Sequence, residues 1–244
     1  MLYYKKYDKR KGWSMTPITL TNRLQRVAEL VRQDAYFADI GTDHGYLPIY
    51  LVQIGRVKRA IAADVNRKPL QQAEQAIQKY SLTEQITPLL SDGLEKIDPT
   101  VTDIAIAGMG GELIASILSA TAVAKDGKKR FLLQPMTQEE YLRRYLAENG
   151  FVTEEEVIAA EGHHLYLILQ VRYDGEKRTL TDCEAMVGEC REKTDPLSQR
   201  YLRKKADKLQ KIAEGLRRSG NLSAAEEQEE RMKEILQYCT EQKG

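Results

Sequence analysis

From residue 18 to residue 31 the apolar positions Leu20, Leu24, Val27, Leu30 and Val31 recur at helical spacing, with Arg23, Arg26 and Arg32 among the polar residues between them. The pattern predicts an amphipathic helix with a basic side. Behind it the period changes. Apolar runs of strand length follow at YFADIG, RAIAADV, ITPLLSDG, TDIAIAGMG and KRFLLQP, separated by helical stretches at about 47–54, 69–80, 112–118 and 138–148. Strands alternating with helices predict a parallel sheet with crossover helices. The first, second and fourth runs are nearly all apolar, as in strands covered on both faces. VTEEEVIAAE and HHLYLILQVRY, about one glycine apart, predict a β-hairpin closing the sheet.

After about Asp174 the strand pattern stops and charge density rises. Asp195-Pro196 reads as an N-cap with proline at the first helical position, opening a helix to about Arg218 in which Leu202, Leu209 and Leu216 repeat every seven residues and Ala206 and Ala213 fill the complementary positions. Gly220 supplies a stop, and Ser223-Ala-Ala-Glu226 reads as a capping box for a second helix carrying Ala225, Met232, Ile235, Leu236 and Cys239. The expected organisation is an N-terminal arm (1–15), an α/β domain (16–174) and a C-terminal antiparallel helical hairpin of coiled-coil type (175–244). With so few heptads, the hairpin is expected to lean on the main domain or a partner.

Lys and Arg number 37 against 36 Asp and Glu, so no bulk field announces a polyanionic partner and any nucleic-acid affinity must come from local patches. One such patch is the stretch from Arg200 to Arg218, which carries Arg200, Arg203, Lys204, Lys205, Lys208, Lys211, Arg217 and Arg218 against only Asp207 and Glu214. The acidic run at 226–230 (EEQEE) is placed to neutralise part of it across the hairpin. Cys183, Cys190 and Cys239 are odd in number and lack a CxxC pair, which argues against a disulfide framework and a zinc cluster. No apolar run approaches the ~20 residues that span a bilayer, and the opening MLYYKKYDKRKGWSM is too polar for a signal peptide, so a cytoplasmic protein is expected. His163 and His164 are adjacent, and strand alternation sends their rings to opposite faces, so no metal site is expected there. Tyr166 and Tyr173 read as packing residues.

Chemistry concentrates where the first strand ends, in ADIGTDHGYLP. Gly41 and Gly45 let the backbone turn sharply and approach a ligand, and the helix that follows offers free amide donors. Such a loop lies where open α/β sheets bind ligands. A dinucleotide fingerprint needs G-x-G-x-x-G, whereas this loop is D-x-G-x-x-x-G with carboxylates at Asp39 and Asp43. Those charges repel a pyrophosphate and suit the ammonium and sulfonium of S-adenosyl-L-methionine. Asp64 ends the second strand about where Rossmann folds place an acid for ribose hydroxyls, and Asp92, in Ser91-Asp92-Gly93 after the third, can accept an adenine amino group. The fourth strand ends in Gly108-Met109-Gly110-Gly111, three glycines that permit close passage of a substrate base; it is not the G-x-S-x-G of a serine hydrolase.

Together the helix with Asn22-Arg23-Leu24-Gln25, the loop ADIGTDHGYLP, SDGLE, IAGMGGELI, the LQP after the fifth strand and the C-terminal hairpin resemble the bacterial tRNA (adenine-22-N1)-methyltransferases, the TrmK-type enzymes. The likeness runs in order through residues 16–244; the arm 1–14 has no counterpart, and the hairpin matches in type and length more than in residues. The resemblance implies a Rossmann-like class I methyltransferase sheet, S-adenosyl-L-methionine as cofactor and tRNA as partner; no metal is expected, and a monomer is expected with an oligomer as the alternative. The implied cofactor set is Asp39, Gly41, Thr42, His44, Gly45 and Leu47 in the loop, Asp64 and Val65, Asp92 and Gly93, and Gly108, Met109 and Gly110. Asp43 matches a family aspartate near the target base and is the implied catalytic residue. Arg23 matches a family position that touches RNA; Tyr46 and Gly111 are expected beside the substrate base, and Lys204 and Lys205, in the basic run, are expected to contact the RNA. The rival readings are a methyltransferase of this fold acting on another RNA, a protein or a small molecule, a non-catalytic RNA-binding or S-adenosylmethionine-sensing protein, and an NAD-dependent oxidoreductase.

Overall fold

A computed structural model describes residues 18–239; the N-terminal arm expected at 1–15 lies outside the described residues. Helix α1 (Asn22–Leu30) opens on Thr21, whose side chain accepts the Leu24 amide. The strands are β1 (Tyr36–Ile40), β2 (Arg59–Asp64), β3 (Ile86–Leu90), β4 (Asp103–Gly110), β5 (Arg130–Thr137), β6 (Phe151–Glu161) and β7 (His164–Tyr173). Between them lie α2 (Tyr46–Gln53), α3 (Arg67–Lys79), α4 (Gly111–Ser119) and α5 (Glu139–Glu148), close to the helices the periodicity predicts.

The sheet order is β3-β2-β1-β4-β5-β7-β6, with β1 to β5 parallel and β7 antiparallel to both β5 and β6. Alternation along each strand divides the core. Ile61, Ile104, Ile106, Phe131, Leu133, Leu167 and Leu169 face α4, α5 and the C-terminal helices, while Ala60, Ala62, Ala105, Leu132 and Ile168 face α1, α2 and α3. The chain runs outward from β1 to β3 on one side and from β4 to β5 on the other, so the direction of winding reverses between β1 and β4. That reversal opens a crevice at the strands' carboxyl ends. The two outer strands differ in kind: β3 carries Pro88, and β6 carries exposed Glu154 and Glu155 at a register shift.

Beyond β7 the structure holds an element the periodicity did not predict. Thr181 and Glu184 form a capping box on the short helix α6 (Asp182–Val187), which runs into a 3-10 turn at Gly188–Glu192. The long α7 (Pro196–Arg218) starts as expected, with Asp195 accepting the amides of Leu197 and Ser198. The start of α8 (Leu222–Gln237) is a correction: Asn221, not Ser223, is the N-cap, its side chain accepting the Ala224 amide. Asn221 wins because α7 ends at Ser219 and Gly220 turns the chain at φ +80° directly before it. Leu202, Ala206, Leu209 and Ile235 belong to the core that lies on the sheet, so the helical pair leans on the main domain. Arg217 pairs with Glu229 across it, as the opposed charge runs led one to expect.

Candidate active site

The crevice between β1 and β4 gathers most of the chemistry-bearing residues. Gly41 (φ +74°), His44 (φ +60°) and Gly45 (φ +67°) turn the backbone out of β1, and the amides of Gly41 and Thr42 both reach back to the Ala63 carbonyl of β2 at 2.9 Å. Left-handed backbone is natural for the two glycines and strained for His44. A side chain at Gly45 would meet Ala73 of α3 at 3.3 Å, so this glycine lets α3 close on the loop.

Asp39 is buried, and its carboxylate accepts the Thr42 hydroxyl at 2.7 Å. Burial pushes its carboxyl up to about 6; the Thr42 hydrogen bond opposes the rise, while the charges of Asp64 and Asp43 add to it. Asp64, also buried, accepts the Asn66 amide at 2.7 Å. Among the described residues no Lys or Arg pairs with Asp39 or Asp64. Two buried carboxylates held together without a counter-charge suit a cationic ligand, and this is the feature that fits S-adenosyl-L-methionine to the site. Asp43 stands at the rim, its side chain 80% exposed and 3.3 Å from His44 Nε2. Tyr46 is exposed and stacks on His44 with ring centroids 5.2 Å apart. Val65 is exposed beyond β2, and Leu47 is buried beneath the loop. Beyond β3, Asp92 is exposed next to Gly93, in a turn closed by Ser91, whose Oγ accepts the Lys96 amide and donates to the Gly93 carbonyl.

The glycines at the end of β4 and the start of α4 divide by task. Gly108 is exposed at φ +80°, where a side chain would stand 3.2 Å from Arg23 Nη1. Met109 folds over the first loop, its terminal methyl lying where a Gly41 side chain would be. Gly110 faces Thr137 Oγ1. Gly111 departs from the expectation of a base contact: it is buried, and a Cβ there would come within 2.3 Å of the Gln138 carbonyl, so its missing side chain serves the packing of α4 against the β5–α5 junction.

Of the expected substrate contacts, Arg23 and Tyr46 stand at the β1–β4 crevice, while Lys204 and Lys205 line a groove beside the carboxyl end of β5. Lys204 is exposed on α7, in a groove of about 710 Å³ that also takes in Lys208, Lys211 and Met136. Lys205, expected to contact the substrate, is engaged within the chain: its ammonium donates to Glu139 Oε2 at 2.6 Å, and Tyr201 Oη donates to the same oxygen at 2.7 Å. Adjacent helical residues point some 100° apart, which is why one lysine is exposed and the next is tied into the joint. Sequence reasoning passed over Gln134, quoted only within LQP. It is fully buried, and its Oε1 accepts both the Arg23 guanidinium (2.6 Å) and the Gly108 amide (3.1 Å). A polar residue in an otherwise apolar strand was the available signal. Tyr166, read as packing, lies under the Arg23 guanidinium at 5.6 Å.

Comparison with known proteins gives this geometry its class: a methyltransferase-domain family model matches residues 20–169. The tRNA (adenine(22)-N(1))-methyltransferase of Bacillus subtilis is 39% identical over 156 residues, which are 64% of this chain and 66%, just under two thirds, of the relative. The structure of Streptococcus pneumoniae Sp1610, a putative tRNA (m1A22) methyltransferase in complex with S-adenosyl-L-methionine, superimposes with a TM-score of 0.77 at 34% identity, covering 89% of this chain and 100% of that one. M. capricolum TrmK with S-adenosyl-homocysteine gives a TM-score of 0.76 at 28% identity, covering 91% and 99%. The chain therefore belongs to the TrmK-type family of class I methyltransferases.

Proposed function

We propose that the chain transfers a methyl group from S-adenosyl-L-methionine to N1 of adenine 22 in tRNA. The observation that carries the reading is the uncompensated pair Asp39 and Asp64, buried beside the glycine junction at the sheet's switch point. Membership of the TrmK-type family supports the substrate.

Asp39 and Asp64, with Gly41, Thr42, Gly45, Val65, Asp92 and Gly93, hold the donor, which supplies an electrophilic methyl on a cationic sulfur. Burial makes the Asp39 charge more effective toward the ligand's positive groups than a surface carboxylate would be. Adenine N1 has an in-plane lone pair, so no residue need remove a proton first, and the chain's main task is alignment. Methylation leaves the adenine positively charged. Asp43, exposed at the rim, is the carboxylate we assign to stabilising that charge as it develops. His44 and Tyr46, stacked beside it, and Gly108 on the opposite side flank the space for an extruded base. Arg23 and Lys204 are assigned to the tRNA backbone. On this reading the chain works as a monomer in the cytoplasm; among the described residues no helix is long and apolar enough to cross a membrane.

The test is incubation with transcribed tRNA and labelled donor, followed by nucleoside analysis and mapping of reverse-transcription arrest. One-methyladenosine with arrest at position 22 is expected. Label in another nucleoside, or none while the donor binds, overturns the reading.

A further inference from the structure

Gln134 occupies an unusual position for an amide. It sits near the end of β5 with no exposure to solvent, and every polar atom of its side chain is engaged. Oε1 accepts from Arg23 Nη1 at 2.6 Å and from the Gly108 amide at 3.1 Å, while Nε2 donates to the Pro135 carbonyl at 2.8 Å and lies 3.6 Å from Met136 Sδ. One neutral oxygen thus joins two parts of the crevice distant in sequence, the first helix and the glycine junction.

The chemistry of the acceptor matters as much as its place. Arg23 is half-buried, and among the described residues no carboxylate pairs with its guanidinium. Its neighbours are the Gln134 oxygen, the Met136 sulfur at 3.8 Å and the Tyr166 ring. The nearby acid, Glu161, accepts the Arg23 backbone amide at 2.7 Å and so caps the start of α1. A carboxylate at position 134 would hold the guanidinium as firmly but would neutralise it. An amide holds it and leaves the charge available.

We propose that Gln134 is a positioning residue that aims Arg23, uncompensated, at a backbone phosphate of the substrate nucleic acid and at the same time fixes the Gly108 turn. This rests on the tRNA reading above. The partner class follows from the donor: a fixed guanidinium with open N–H groups at the mouth of a cleft recognises a phosphate oxygen.

The test uses the full chain and transcribed tRNA. Gln134→Glu is expected to leave S-adenosylmethionine affinity unchanged, to lower Tm because a carboxylate oxygen replaces the amide that donates to the Pro135 carbonyl, to weaken tRNA binding about tenfold, and to reduce the slope of log K against log salt by about 0.7 to 0.9, the share of one phosphate contact. In an Arg23→Ala background the same change is expected to do nothing further to the slope. Gln134→Asn, which keeps the amide but shortens its reach, serves if the buried glutamate does not fold; it is expected to raise the KM for tRNA several-fold while donor affinity stays constant. An unchanged salt slope for Gln134→Glu, an equal loss in the Arg23→Ala background, or a Gln134→Asn chain that loses donor affinity and Tm together overturns the proposal. A wild-type chain that makes no 1-methyladenosine defeats the tRNA reading instead, so the two failures are distinguishable.

Discussion

A carboxylate withdrawn from water is costly to keep ionised, and Asp39 bears that cost. With its carboxyl held at about 6 instead of the ordinary 3.8, the folded chain binds this proton more tightly than the unfolded chain does. Stability contributed at this position therefore falls as pH rises from about 4 to 6 and stays reduced above, by up to ~3 kcal/mol. Asp39→Asn is expected to raise Tm at pH 7 to 8, to leave it unchanged near pH 4, and to lose donor affinity, a trade of function for stability read by paired melts and calorimetry. In the wild type, donor affinity is expected to weaken as pH falls through 6; in Asp39→Asn that dependence disappears. Asp43 stands open to solvent at the rim. Asp43→Ala is expected to leave donor affinity intact and lower turnover by about 10²-fold, the usual scale for one electrostatic contact to a transition state. Intact turnover would remove Asp43 from the mechanism.

At the scale of elements, the glycines provide graded tests. Gly111→Ala drives a methyl into the Gln138 carbonyl and is expected to cost several kcal/mol by melting, above the ~1–3 kcal/mol of ordinary overpacking, because backbone cannot rotate away. Gly215→Ala, inside α7 with nothing within 4 Å, is expected to stabilise by about 0.5–1 kcal/mol. Asn221→Ala is expected to cost about 1 kcal/mol and Ser223→Ala almost nothing, which separates the observed cap from the one the sequence favours. The same elements show what could be read beforehand. All seven strands and most helices were legible because long apolar periods dominate them, and the acids Asp39, Asp64 and Asp92 followed from strand ends. The short α6 escaped because six residues give too little period, although Thr181 and Glu184 spelled its capping box. The tasks of Gly111, Lys205 and Gln134 escaped because each depends on a neighbour 27, 66 or 111 positions away.

Across the whole molecule, the helical pair is fastened to the sheet domain by charge as well as by apolar packing. Arg143 is fully buried, donates to both Glu156 oxygens at 2.8 and 2.9 Å, and reaches the Ala185 and Met186 carbonyls; Tyr201 and Lys205 of α7 meet Glu139 of α5 beside it. Lys205→Ala leaves the Glu139 carboxylate without its cation and is expected to cost about 1–3 kcal/mol while leaving the salt dependence of tRNA binding alone. Lys204→Ala is expected to do the reverse, with Tm unchanged and the salt slope reduced. Identical behaviour of the two variants would refute this division.

The outer strands bear on how the chain behaves in company. A seven-stranded sheet has two outer rows of backbone donors and acceptors that a stray strand from another molecule can extend, the route by which sheets nucleate aggregates; on β6 part of that row is already taken, the Glu156 amide donating to Glu189 and the Ala160 carbonyl accepting Asn22. Pro88 removes a donor from the β3 row, and exposed Glu154 and Glu155 at the β6 irregularity put charge and a distorted register on the other. Pro88→Val, which restores a donor to the β3 row, combined with Glu155→Val, which removes a charge from the β6 edge, is expected to bring concentration-dependent light scattering to a chain whose active site is untouched. Two residues at opposite edges, remote from any chemistry, thus govern how concentrated and how long-lived the working protein can be.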